Sequence, residues 1–176
     1  MATRSSEASA TLLLVAIYPT MKRLTSWPHV VLGLAFNWGA LVGYAAVTGA
    51  LSWATFALYV GGVAWTMVYD TIYAMQDQRD DAVIGVRSTA RRFAAAPRRW
   101  LTLFAALALA AWALAGLLAS LSLYYFAILL AVALHFVWQI AFLKPQDQAD
   151  CLAKFKANAW IGVLLTAAVI AGHLPS

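Results

Sequence analysis

Five stretches of this chain, residues 29–49, 52–74, 100–120, 122–143 and 157–173, run apolar for close to the width of a bilayer, the last being the shortest. A helix needs about 20 apolar residues to cross the hydrocarbon core, and a spanning segment must satisfy its own backbone polar groups there. Residues 10–21 make a sixth, shorter run that reads as the final turns of an incomplete helix. The breaks between runs carry suitable chemistry at Trp27-Pro28, Thr48-Gly49, Ala96-Pro97 and Lys144-Pro145. Apolar residues make up 64% of the chain and mean hydropathy is +0.77, against about 45–50% apolar residues in soluble domains. The expected fold is therefore all-α, a polytopic transmembrane helix bundle of about six spans, the first incomplete. No repeat or linker divides it, so the expected organisation is a polar tail over residues 1–10 and one membrane domain over 11–176.

Charge sets the expected topology. Lys22 and Arg23 follow the first segment, and Arg79, Arg87, Arg91, Arg92, Arg98 and Arg99 follow the third. Lys144, Lys154 and Lys156 are placed in the loop after the fifth, whereas the turns around Gly49 and Ser120 carry no charge. Six crossings put every Lys and Arg except Arg4 on one side, which the positive-inside rule makes cytoplasmic. A bacterial inner membrane is the expected host. The net charge of +5 does not signal nucleic acid, because the basic residues flank apolar spans and form no aromatic-interleaved patch. Arg91, Arg92, Arg98 and Arg99 are read as topology and lipid-headgroup residues. Cys151 stands alone, so no internal disulfide can form, and His29, His135 and His173 lack metal-ligand spacing.

Four of the seven acidic residues, Asp70, Asp77, Asp80 and Asp81, close the third run. An Asp at the centre of a membrane helix costs about 2.5–3.5 kcal/mol on insertion scales, and ionisable residues kept there are functional by default. If the helix through Tyr73 continues, residues seven apart differ by about 20° around its axis and residues four apart by about 40°. Asp70, Asp77 and Asp81 would then share a narrow wedge with Tyr73. Carboxylates at such spacing can hold Mg²⁺ while leaving positions for water and substrate phosphates. The plain alternative is a solvated acidic loop balanced by neighbouring arginines.

The segment Tyr69-Asp70-Thr-Ile-Tyr73-Ala74-Met-Gln-Asp77-Gln-Arg-Asp80-Asp81, with its Gly85-Val-Arg87-Ser88-Thr89-Ala90 tail, resembles the second aspartate-rich motif of the UbiA-type membrane aromatic prenyltransferases. Ile17-Tyr18-Pro19-Thr-Met-Lys22-Arg23 is similar to the signature at the end of that family's fourth helix. Leu32-Gly33-Leu34-Ala35-Phe36-Asn37-Trp38-Gly39 fits the helix that follows. The nearest branch is the 4-hydroxybenzoate polyprenyltransferases of ubiquinone synthesis, and the likeness runs from about residue 12 to residue 173.

The resemblance implies transfer of a polyprenyl group from its diphosphate to the ring carbon of 4-hydroxybenzoate ortho to the hydroxyl, with Mg²⁺ on the diphosphate. It implies that Asp77 and Asp81 are metal ligands and catalytic residues, and that Asp70 and Tyr73 orient the site or contact diphosphate. Arg23 is the candidate for the benzoate carboxylate, where a planar fork suits a two-oxygen anion, and Lys22 or Arg87 could serve the diphosphate. Without the resemblance, Lys22 and Arg23 read as topology residues. Tyr18, Phe36 and Trp38 are candidates to shield a carbocation through their ring faces, and Gly39 with Gly43 suggests close helix packing.

The sequence also departs from the pattern. The family has nine membrane helices and a first motif, Asn-Asp-x-x-Asp-x-x-x-Asp, whereas the only acidic residue here before Asp70 is Glu7. Two expectations follow. Either the chain is the C-terminal portion of a prenyltransferase, active when another polypeptide supplies the missing helices, or it is a non-catalytic fragment or membrane interaction subunit.

Overall fold

A computed structural model of the chain describes residues 28–76, 93 and 95–175. Every regular element among them is a helix: α1 (Pro28–Thr48), α2 (Trp53–Ala74), α3 (Pro97–Leu118), α4 (Leu123–Ala141) and α5 (Gln148–Gly172). The short run at 10–21 lies outside the described residues. Local chemistry explains the boundaries. Gly49 takes φ +77° just past α1, a left-handed conformation that costs a glycine little. Ser52 caps α2 by accepting from the Thr55 N–H at 3.1 Å. Pro97 opens α3, where its missing N–H loses nothing. Asp147 caps α5, accepting from the N–H groups of Ala149 and Asp150 at 3.0 and 3.2 Å.

Four helices, α1, α3, α4 and α5, are long and apolar enough to cross a membrane, and the chain is an integral membrane protein. Leu103, Leu130, Leu134 and Val163 stand exposed on their outer faces, as lipid contact requires. The 22-residue α2 is not among these four. It packs on α1, α3 and α5 and buries Thr55, Gly61, Gly62, Thr66 and Thr71 against them. A helix facing protein can carry small and polar residues that a lipid-facing helix cannot. Its Val68 and Ile72 join Leu101, Trp112, Tyr125, Phe136 and Ile161 in one buried core.

One expectation needs correction. The last helix begins at Gln148 and runs 25 residues, so Lys154 and Lys156 lie in a helix and not in a loop. Lys154 is tolerated there because Asp150 Oδ1 lies 3.5 Å from its Nζ and the Trp138 ring face 4.1 Å away. Gly39 and Gly43 have no described atom within 4 Å of the position a Cβ would take. Close approach instead occurs at Gly61, where Trp112 of α3 occupies the space of a side chain, and at Gly62, where Asn37 of α1 does.

The bundle has a charged end and an uncharged end. At the first, Arg98 of α3 donates to the Leu143 carbonyl at 3.0 Å, and Gln148 of α5 donates to the Gln76 carbonyl at 3.0 Å. At the other, the Ser122 N–H reaches the Gly172 carbonyl at 2.8 Å. The C-terminus of α2 therefore shares an end with the starts of α3 and α5. Every described Lys and Arg belongs to that end.

Candidate functional site at the end of α2

The last turns of α2 bring Asp70 and Tyr73 to the charged end. Asp70 is partly buried and Tyr73 is exposed. Helical assignment stops at Ala74: the Met75 N–H is shared between the carbonyls of Thr71 and Ile72 at 3.2 Å, and the Gln76 N–H turns to Tyr73 at 3.1 Å. Such three-residue bonds tighten a helix end. The continuous helix from Asp70 to Asp81 assumed by the angular argument is thus not continued past Ala74 in the described turn. Asp77, Asp80, Asp81, Arg87, Lys22 and Arg23 lie outside the described residues, as does Tyr18.

Beside Asp70 and Tyr73 stands a set of aromatic rings. Phe155 of α5 packs on Tyr73 with centroids 4.8 Å apart and on Tyr69 at 5.9 Å. Tyr69 in turn meets Trp65 edge-on at 5.4 Å. These separations are those of favourable aromatic pairs. Phe36 and Trp38 are placed elsewhere. Phe36 is 62% exposed, and Trp38 packs edge-on against Tyr59, eleven residues before Asp70 and so about 16 Å along the helix.

Polar side chains fix this end from three directions. Asn37 of α1 donates Nδ2 to the Gly33 carbonyl at 2.8 Å and to Thr66 Oγ1 at 3.0 Å. Thr66 donates to the Gly62 carbonyl at 3.0 Å and accepts from the Tyr69 hydroxyl at 3.3 Å. On the α5 side, Trp65 Nε1 donates to Asn158 Oδ1 at 2.9 Å. A cavity of about 320 Å³ lies below, walled by Asn37, Tyr59, Trp65, Trp112, Leu165 and Ile170 among others. Thr66, Phe155 and Asn158 were not singled out by motif.

Among the described residues no three His, Cys, Asp or Glu side chains converge on a metal position. Asp70 is the one described member of the candidate carboxylate set. The donor chemistry of that set nevertheless fits Mg²⁺, which takes hard oxygen ligands and one or two carboxylates beside substrate phosphates.

Comparison with known proteins places these features in context. The model of the UbiA prenyltransferase family matches residues 7–168. The chain is similar to the mitochondrial 4-hydroxybenzoate polyprenyltransferase of Dictyostelium discoideum, with 43% identity over 167 residues, covering 94% of this chain and 36% of the relative. Its counterpart in Arabidopsis thaliana is 45% identical over 166 residues, covering 94% and 41%. That of Bos taurus is 43% identical over 167 residues, covering 94% and 45%. The chain thus spans less than half the length of these relatives. No solved structure matches it.

Proposed function

The chain belongs to the UbiA prenyltransferase family, and from that premise we propose that it supplies the second-motif half of a membrane 4-hydroxybenzoate polyprenyltransferase. The reaction moves a polyprenyl group from its diphosphate to the aromatic acid, in ubiquinone biosynthesis. The observation that carries this reading is the junction of α2 and α5. Tyr73 packs on Phe155 and the Gln76 carbonyl accepts from Gln148 at the end of the bundle that gathers the described basic residues.

Asp77 and Asp81 would hold Mg²⁺. When bound, the ion supplies Lewis-acid neutralisation of charge on the leaving diphosphate. Asp70 and Tyr73 orient the turn that leads to those ligands. Lys22 and Arg87 offer cationic donors to diphosphate oxygens, and Arg23 offers its two-pronged guanidinium to the benzoate carboxylate. The lipid-facing helices keep the reacting end at the membrane surface, with the polyprenyl tail within the apolar layer. The site is placed on the side of the membrane that carries the Lys/Arg segments. A bacterial inner membrane, expected from the sequence, draws no support from relatives that are named mitochondrial.

A second carboxylate motif must come from sequence beyond these residues, whether in the same polypeptide or another. The rival reading is a non-catalytic membrane subunit. One assay separates the two: co-expression with a segment carrying Asn-Asp-x-x-Asp, followed by prenylation of 4-hydroxybenzoate with Mg²⁺ and a polyprenyl diphosphate. Turnover that depends on both pieces supports the enzyme reading. No turnover with both pieces inserted and associated supports the subunit.

A further inference from the structure

Thr66 is 1% exposed in the middle of a membrane bundle, and its hydroxyl is fully committed. Its one proton goes to the Gly62 carbonyl at 3.0 Å. Both contacts to its oxygen must therefore be donated by the other partner: the Asn37 amide at 3.0 Å and the Tyr69 phenol at 3.3 Å. A hydroxyl has one donor and two acceptor lone pairs, so no capacity remains. Gly62 is part of the same device, because a Cβ there would occupy the space of the Asn37 carboxamide. Polar residues buried in a membrane are costly to insert, so a saturated chain of them calls for a role.

Tyr69 is where the chain ends, and its position indicates the role. It precedes Asp70, and its ring touches both Trp65 and Phe155, while Phe155 also packs on Tyr73. The Tyr69 phenol is tied to Thr66 and its ring is held between Trp65 and Phe155, so Phe155, on which Tyr73 packs, rests against an anchored ring. We propose that Asn37 and Thr66 are positioning residues: through Tyr69 they set the orientation of the aspartate-bearing end of α2 for a metal-diphosphate ligand. The inference rests on the function proposed above. It adds that geometry at the charged end is determined by a hydrogen-bond chain reaching to α1.

The test uses the chain in detergent micelles, with inorganic pyrophosphate and Mn²⁺ as the probe pair, and reads binding and thermal unfolding together. Thr66→Val keeps shape and removes both acceptor sites and the donor, Thr66→Ser keeps the hydroxyl, and Tyr69→Phe removes the phenol oxygen alone. The expected result is a tenfold or greater loss of pyrophosphate affinity in Thr66→Val and Tyr69→Phe, with unfolding within a few degrees of the unaltered chain. Thr66→Ser should bind within threefold. Asn37→Leu should follow Thr66→Val. Unaltered pyrophosphate affinity in Thr66→Val overturns the inference and leaves the proposed function standing. An unaltered chain that binds no pyrophosphate with Mn²⁺ overturns the inference, while the proposed function is decided by the two-piece assay above. Affinity lost only in proportion to lost stability assigns the chain to folding and overturns the positioning role.

Discussion

Trp65 and Asn158 join α2 to α5 through a hydrogen bond of 2.9 Å from the indole Nε1 to the carboxamide Oδ1. Asn158 passes the connection on, donating Nδ2 to the Lys154 carbonyl at 2.9 Å. That carbonyl also accepts from Gln139 Nε2 of α4 at 2.8 Å. Helices α4 and α5 thus meet at one carbonyl oxygen, one residue before Phe155, and α2 joins them through the Asn158 carboxamide. Because lipid tails supply no hydrophobic drive between helices, such bonds are part of what selects the helix neighbours.

Asn158→Leu is accordingly expected to weaken the bundle by about 1–2 kcal/mol, the upper range for an interhelical hydrogen bond in a membrane. Pairing it with Trp65→Phe, which keeps the ring and removes the donor, isolates the bond in a double-mutant cycle. Reversible unfolding in mixed micelles should show a coupling energy of about 0.6 kcal/mol or more. Strictly additive effects would mean that the bond contributes nothing.

Two glycines offer a contrast in packing. A Cβ on Gly61 would fall on the indole ring of Trp112, which is fully buried, whereas Gly39 faces no described atom within 4 Å. Gly61→Ala should destabilise the bundle by about 1–3 kcal/mol through overpacking. Gly39→Ala should be neutral or stabilising by up to about 1 kcal/mol, since alanine is the better helix former. Equal effects in the two variants, read by thermal unfolding, would contradict the α2–α3 interface described above.

These cases show what could be read in the residues beforehand. The runs at 29–49, 52–74, 100–120 and 122–143 give α1 to α4 to within a few residues, because a spanning helix is specified by length and apolarity. The run at 157–173 starts later than α5 because Lys154 and Lys156 read as part of the preceding loop. In the fold, Asp147 is a cap, and Lys154 pairs with Asp150 and lies over the Trp138 ring. Periodicity cannot reveal such pairing. Asp70 could be picked out as a candidate from an unusual density of charge, and Tyr73 as a candidate from the family resemblance. Phe155, Thr66 and Asn158 could not, since each matters through a neighbour distant in sequence. Gly39 and Gly43 fit a spacing rule, but contact depends on which face meets another helix.

Asp77→Ala and Asp81→Ala are expected to abolish prenyl transfer by the assembled enzyme while leaving membrane insertion unchanged. Loss of one carboxylate removes a hard ligand from an ion that is held by only one or two such groups. Turnover and membrane fractionation on the same preparation check both halves of the expectation. Near-normal rates in either variant would remove that residue as an essential ligand.

Taken alone, the purified chain should not prenylate 4-hydroxybenzoate with Mg²⁺ and a long-chain diphosphate. Two carboxylates from one motif leave part of the diphosphate charge unmet, and an unneutralised diphosphate is a poor leaving group. Product formation measured by extraction of radiolabelled prenylated acid provides the check. Robust turnover would show that one motif is enough.

Orientation can be tested along α3 without reference to activity. The helix runs 22 residues from Pro97 to Leu118, about 33 Å at 1.5 Å per residue, enough to cross a hydrocarbon core of about 30 Å. Arg99 lies exposed near its start and Ala119 exposed just past its end. The native thiol, Cys151, is buried and can be replaced by alanine to give a clean background. In sealed vesicles of known sidedness, a membrane-impermeant maleimide should label Arg99→Cys only from the face that carries the Lys/Arg segments, and Ala119→Cys only from the opposite face. The rule that fixes sidedness counts basic residues near helix ends, so the label at residue 99 should report the cytoplasmic or matrix side. Labelling of both positions from one face would mean that α3 does not cross, and the proposed placement of the aspartate turn beside a polyprenyl diphosphate headgroup would fail with it.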